Sequence, residues 1–224
     1  MAPKTLDHVA FWVADRDAIV DRATRHLGVH VIERTEKFTL IGSDARRGKL
    51  TLFDADGPRD RGAFKHVALR VSNLDDARAQ LPDGVGDSVD LGEGIDVRLV
   101  QASTDVEYDL DHVALYTPSP ESTAKTYLRY GFAAAEPSDG VDRVEVGGAH
   151  VEFYEGDPGE SERPLLNHVA VLVDSAEGTR GDAEETGIEV ESFVDAPNTV
   201  AVFLWGPDRV RIEYVEHKPT FSLR

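Results

Sequence analysis

Four copies of one short segment constrain this chain more than anything else in it. Leu6-Asp7-His8-Val9-Ala10-Phe11 returns as Phe64-Lys65-His66-Val67-Ala68-Leu69, as Leu110-Asp111-His112-Val113-Ala114-Leu115, and as Leu166-Asn167-His168-Val169-Ala170-Val171. Each is an apolar residue, a polar one, then His-Val-Ala. The histidines follow one another at intervals of 58, 46 and 56 residues. A tripeptide recurring four times at a nearly fixed period is the mark of a repeated supersecondary unit, and it dictates the architecture before any single residue does.

Each unit reads in the same order. A strand with period-two burial opens it, a short polar helix follows, and further short strands close it. The first has a strand Leu6–Val13, a helix from about Asp15 to His26 stopped by Gly28, and strands Val29–Arg34, Phe38–Ile41 and Lys49–Phe53. The second starts at Phe64, carries its helix over 74–81, and is about ten residues shorter, so a strand or loop is trimmed. The third has a strand 110–117, a helix 119–130 with Pro120 in its first turn and Gly131 at its stop, and a last strand Ala149–Tyr154. The fourth has a strand 166–173, a helix 176–186 ended by Gly187, and strands 189–193, 200–205 and 209–215. The polar, acidic stretch Ser103–Asp109 reads as the boundary between two halves, 1–105 and 106–224.

Composition removes several classes of function. The chain has 224 residues and no cysteine, which excludes disulfides, thiolate nucleophiles and cysteine zinc sites. Forty-two acidic residues against 24 basic ones give a net charge of −18, spread along the chain rather than gathered in a tail. Nucleic acid is not an expected partner, because phosphate contacts need a basic face. An evenly acidic surface suits high salt, where self-repulsion is screened, and predicts a halophilic source. No apolar run is long enough for a membrane span and the N-terminus lacks a signal-peptide pattern, so a cytoplasmic protein with no membrane partner is expected. No phosphate loop, dinucleotide fingerprint or serine nucleophile elbow is present.

Four βαβββ units that each open with apolar-x-His-Val-Ala resemble the vicinal oxygen chelate superfamily, which includes glyoxalases, extradiol dioxygenases, epimerases and bleomycin-resistance proteins. The resemblance covers essentially the whole chain, and four modules in one polypeptide look most like the type I extradiol dioxygenases. It implies an α+β fold in which modules pair into two domains with curved mixed sheets around a metal. It also implies that ligands come from the first and last strands of each module.

Strand alternation sorts the side chains for such a site. His112 and Ala114 share a face with Tyr116, and His168 shares one with Ala170. In the last strand Arg211, Glu213 and Val215 share a face, and a glutamate between Ile212 and Tyr214 is costly unless paired or bound to a cation. His112, His168 and Glu213 are thus expected to be metal ligands. Glu152, which matches Glu213 by internal repeat, is a fourth ligand or an acceptor behind one. The position of Glu213 is taken by Thr51 in the first unit and by Arg98 in the second. With no carboxylate there, the N-terminal half is expected to be metal-free, although His8 and His66 carry the motif.

The resemblance implies a divalent metal, Fe(II) first, with Mn, Zn or Ni as alternatives, and a small vicinal-oxygen, catechol-like substrate. Two histidines and one carboxylate leave open positions for a chelating substrate and O2. His150, two residues from Glu152, is the expected proton shuttle, and Tyr116 a hydroxyl contributor. The family's further His and Tyr before the final glutamate have no counterpart in Ala196–Leu204, where Asn198 and Phe203 stand nearest. Two other readings stay open: a metal-dependent isomerase, lyase or epimerase of the glyoxalase kind using Glu152 as well, and a non-catalytic small-molecule binder. A homo-oligomer is compatible with all three.

Overall fold

The computed structural model describes residues 1–223. Module 1 comprises β1 (Thr5–Val13), α1 (Arg16–Leu27), β2 (His30–Arg34), β3 (Phe38–Asp44) and β4 (Arg47–Asp54). Module 2 comprises β5 (Phe64–Val71), α2 (Leu74–Arg78), β6 (Ser88–Asp90) and β7 (Asp96–Gln101), one strand fewer, as its length requires. Module 3 comprises β8 (Asp109–Thr117), α3 (Pro120–Tyr127), β9 (Ala133–Ala134), β10 (Asp142–Val146) and β11 (Ala149–Glu155). Module 4 comprises β12 (Leu166–Leu172), α4 (Ala176–Glu185), β13 (Val190–Asp195), β14 (Thr199–Trp205) and β15 (Arg211–His217). The α+β class and the four modules are as the repeat predicts. Among the described residues no helix is long and apolar enough to cross a membrane.

Local chemistry sets the helix ends. The Asp15 side chain accepts from Ala18 N at 3.0 Å, which starts α1, and Gly28 in the left-handed region stops it. Ser175 does the same for α4 by accepting from Gly178 N at 2.9 Å. The predicted helix in module 3 ends earlier, at Tyr127, and finishes as a 3-10 turn over Leu128–Tyr130 before Gly131.

The partnership of modules differs from the sequence expectation. The halves 1–105 and 106–224 do not each close a sheet. An eight-stranded sheet runs β13-β14-β15-β12-β1-β4-β3-β2, which joins module 4 to module 1. A seven-stranded sheet runs β6-β7-β5-β8-β11-β10-β9, which joins module 2 to module 3. The seams are the antiparallel pairs β1–β12 and β5–β8, made by the His-Val-Ala strands themselves. All four opening strands are nearly alike, so each could pair with any other, and nothing in their sequence names the partner. The two sheets share one apolar core: Phe11 of β1 and Phe64 of β5 meet edge-on with ring centroids 5.0 Å apart. Tyr214 sits in that core with its hydroxyl donating to Tyr130 O at 2.6 Å, and Tyr130 in turn donates to Trp205 O at 2.9 Å.

Both seams carry the same irregularity. In the register of β1 with β12, Asp7 and Asn167 are skipped, and in that of β5 with β8, Lys65 and Asp111 are skipped. These are the residues just before the four histidines. Each is the extra residue of a β-bulge, which breaks strict alternation and re-aims its side chain. In a regular strand residue i−1 would face away from His i. The bulge lets it turn back towards the imidazole.

Candidate metal centre

Pairing module 1 with 4 and module 2 with 3 decides which expected ligands meet. Two clusters of three groups form: His8, His168 and Glu213, and His66, His112 and Glu152. His112 and His168 stand in different sheets, so the expected set of His112, His168, Glu213 and Glu152 does not converge on one point. It is two half-sets, His168 with Glu213 and His112 with Glu152. Each is completed by a histidine from the N-terminal half, which the sequence reading set aside. His8 and His66 were findable: they carry the motif, and only the assumption that neighbouring modules pair in chain order hid them.

The fourth position of each site was legible. The residue facing the alanine of His-Val-Ala is Thr51 opposite Ala10, Arg98 opposite Ala68, Glu152 opposite Ala114 and Glu213 opposite Ala170. Each cluster therefore has two histidines, one glutamate and one non-ligand.

In the first cluster the histidine Nε2 atoms are 3.0 Å apart. Glu213 Oε2 lies 3.1 Å from that of His8 and 2.9 Å from that of His168. The opposite ring nitrogens fix the protonation. His8 Nδ1 is 2.7 Å from Asp7 Oδ1, and an ionised carboxylate only accepts. His168 Nδ1 is 2.9 Å from Asn167 Oδ1, whose identity as oxygen is set by Arg211 Nη1 donating to it at 2.7 Å. In the neutral imidazoles both Nδ1 atoms therefore carry the hydrogen, and both Nε2 atoms present lone pairs. Two lone pairs and a carboxylate oxygen converge in a buried space, which is stable only with a cation among them. A divalent metal fits this donor set, with acceptors behind the ligands that fix ring orientation. Without a metal the cation is a proton: burial pushes His8 down, but Glu213 and Asp7 overcome this and raise it to about 9. Burial pushes Glu213 up, yet His168 and His8 hold it well below the usual carboxylate range.

Asp7 is anchored in turn. Lys49 Nζ lies 2.9 Å from its Oδ1, and His217 Nε2 lies 2.9 Å from its Oδ2, though out of line for a hydrogen bond. Burial alone would raise this carboxyl, but Lys49, His217 and His8 hold it well below its ordinary value. His217 is a functional candidate that the sequence reading missed. The alternation Glu213, Val215, His217 carries it to the cavity face of β15.

The second cluster is built differently. Its Nε2 atoms are also 3.0 Å apart, and His112 Nδ1 is 2.8 Å from Asp111 Oδ1. Its counterpart Lys65 offers His66 no acceptor, and His66 Nδ1 has no hydrogen-bond partner. The His66 tautomer is therefore free. Its proton can sit on Nε2 and be donated to His112, which satisfies the pair without a cation. Burial, with Arg98 and His112 adding to it, lowers the His66 pKa to about 3. Glu152 is more distant, 3.6 Å from His112 Nε2, and accepts from the Tyr154 hydroxyl at 3.0 Å. Arg98, a fixed cation, shares this cavity.

The expected proton shuttle and hydroxyl stand elsewhere. His150 pairs in register with His112 and Glu145, and neither cavity is lined by it. Tyr154, not Tyr116, lines the second cavity; the Tyr116 ring packs against Gly156 with the Lys65 ammonium 5.5 Å from its centroid.

A cavity of about 440 Å³ opens over the first cluster, walled by Phe38, Leu40, Phe53, Val194, Phe203 and Val215. That is room for a small ring. The second cavity, about 460 Å³, is lined mostly by polar groups, among them Asp87, Ser88, Ser138 and Asp139.

Comparison with known proteins agrees with this architecture. Residues 5–83 match the model of the Glyoxalase/Bleomycin resistance protein/Dioxygenase superfamily. The fold is the glyoxalase/dioxygenase fold over nearly the whole chain. It superposes on a Bacillus subtilis subsp. subtilis str. 168 structure described as a "putative dioxygenase", with TM-score 0.79, 14% identity, and coverage of 98% of this chain and 87% of that one. It superposes on glyoxalase I from Zea mays with TM-score 0.73, 17% identity, and coverage of 95% and 92%. No curated protein sequence matches the chain. The superfamily resemblance is thus met in sequence over residues 5–83 and in fold throughout, while the extradiol subtype is not singled out from glyoxalase I.

Proposed function

We propose that the chain is a metal-dependent enzyme of the dioxygenase type, with one divalent ion, Fe(II), at His8, His168 and Glu213 and a small vicinal-oxygen substrate in the cavity above. The observation that carries this reading is the convergence of two histidine Nε2 atoms, whose Nδ1 hydrogens are fixed from behind by Asp7 and by Asn167 with Arg211, on the Glu213 carboxylate. Thr51 in the fourth position favours three protein ligands over the four-ligand set that a glyoxalase-type isomerase requires. Held by these three residues, such an ion would supply Lewis-acid chemistry toward a vicinal-oxygen substrate in the presence of O2.

The chain's own groups do the rest. Phe38, Phe53 and Phe203 exclude water from the bound ring and orient it. Asp7 and Asn167 hold the ligand imidazoles in the donor tautomer. His217, on the cavity wall beside the Asp7 carboxylate, takes the substrate hydroxyl proton in place of His150. The second cluster is assigned no catalytic part, because His66 and His112 satisfy each other beside Arg98.

The test is anaerobic loading with Fe(II), then addition of a catechol panel under O2. One Fe(II) per chain, O2 uptake and a coloured ring-cleavage product are expected, all lost in His168→Ala and retained in His112→Ala. Metal binding without O2 uptake on any catechol would sink the dioxygenase reading and leave the metal centre. No metal bound would sink both.

A further inference from the structure

A third cavity, of about 450 Å³, adjoins the first along the same sheet face and shares Phe53, His168, Val194 and Phe203 with it. The two are ends of one trough that meet at His168, and the cluster with His8 and Glu213 lies at the first end. The far end differs sharply from the rest of an acidic molecule. Both tryptophans of the chain, Trp12 and Trp205, are there, with Arg163, Arg209 and Arg211. The Arg209 guanidinium lies 4.7 Å from the Trp205 ring centroid, that of Arg163 5.9 Å from Trp12, and that of Arg211 4.5 Å from Phe203.

The three arginines are not equivalent. Arg211 is engaged, by Asn167 and by Glu191 Oε2 at 2.8 Å. Arg163 and Arg209 have no ion-pair partner among the described residues, in a chain with 42 carboxylates. Glu162 and Glu191 also line this end, and Glu191 is taken by Arg211. Arg209 is held over Trp205 at a cost. Asp208 and Arg209 both have positive φ, 54° and 55°, a conformation that an aspartate tolerates but an arginine adopts only when its surroundings hold it there. Two unpaired guanidinium groups stacked on indoles at the end of a substrate-sized trough are suited to a planar anion beside an aromatic or apolar body.

We propose that Arg163 and Arg209, backed by Trp12 and Trp205, form a subsite for a carboxylate, so that the molecules this trough takes are aromatic or apolar acids. Strand spacing sets the reach. Arg211 is two residues from Glu213 and Trp12 four from His8, so the carboxylate sits roughly 7–13 Å from the metal ligands. That is the length of a ring with a short acidic side chain. The role of this molecule as substrate rests on the function proposed above; the subsite itself does not.

Because both tryptophans flank the subsite, their emission reports on it without any turnover. The probes are 3-phenylpropanoate and its neutral partner 3-phenylpropanamide, titrated into the purified chain. The acid should change tryptophan emission with a Kd at least about tenfold below that of the amide, and the difference should shrink as salt is raised. The variant Arg163→Gln with Arg209→Asn should abolish the discrimination while keeping the metal content and near-ultraviolet dichroism of the parent; asparagine tolerates the left-handed backbone there. His8→Ala, which removes a metal-binding group that does not line this end of the trough, should keep the discrimination, so a failed metal centre and a failed subsite give different results. Equal affinity for acid and amide, no emission change with either, or discrimination that survives the double variant would overturn the proposal.

Discussion

If His8 carries the proton that the metal must displace, the affinity of the first cluster for a divalent ion has a definite pH slope. The His8 pKa is raised to about 9 by Glu213 and Asp7 against its burial. At pH 7, about two units lower, removing that proton costs about 2.7 kcal/mol, a factor of about 100 in apparent affinity. Affinity should therefore rise about tenfold per pH unit from 7 to 8.5, flatten near 9, and release about one proton per ion bound. Chelator-buffered Co(II) titrations of the metal-free chain, followed by visible absorption, measure the affinity. Calorimetry in buffers of different ionisation enthalpy counts the proton. His112→Ala should leave the slope intact, since the second cluster stands in the other sheet. An affinity that stays constant between pH 7 and 8.5, or binding lost in His112→Ala and kept in His168→Ala, would refute both the proton assignment and the choice of site.

Three further outcomes follow. The same His8 proton stabilises the metal-free fold: its pKa is higher folded than the 6.5 of the free side chain, so the contribution is complete below pH 6.5 and is lost as pH rises through about 9. Urea unfolding should show up to about 3 kcal/mol less stability at pH 9.5 than at pH 6.5 without metal, and saturating metal should flatten that profile. Replacing Lys65→Asp and Arg98→Glu gives the second cluster the acceptor it lacks and exchanges its fixed cation for a second carboxylate beside Glu152, and should raise bound metal from one to two per chain by atomic absorption. Tyr214→Phe leaves a buried Tyr130 carbonyl without its donor and should lower stability by about 1–3 kcal/mol in thermal or urea unfolding, with metal content unchanged.

The repeat made the modules readable from sequence because each is a local object. Gly28, Pro120 and Gly187 mark helix ends within a few residues of where they fall. Register is readable too: Thr51, Arg98, Glu152 and Glu213 match one another by the internal repeat and do share one position. What alternation could not carry was anything spanning modules. His168 and Glu213 lie on neighbouring parallel strands of one module, and the structure brings them into one cluster. His8 was left out because its partner is 160 residues away, on a strand that looks like the other two candidates. The bulges were hidden for a related reason. Asp7 and Asn167 read as ordinary outward residues until an opposing strand skips them. His150 shows the converse: it shares a face with Glu152, but a face is longer than a site, and one register step puts it outside the cavity.

The seam between β1 and β12 also fixes when the metal centre can come into being. Of the three groups of the proposed centre, His8 is in β1, His168 in β12 and Glu213 in β15. During synthesis the β5 to β11 sheet has all its strands once Glu155 has emerged, whereas His8 must wait for nearly the whole remainder of the chain. Until then β1 has no β12 and shows an unpaired edge, the feature most prone to wrong partners. Closing so long a loop is slow, and it falls at the end of assembly. A chain broken off before Glu213 lacks one member of the cluster, so in the proposed enzyme a molecule that holds the ion has already brought β1, β12 and β15 together.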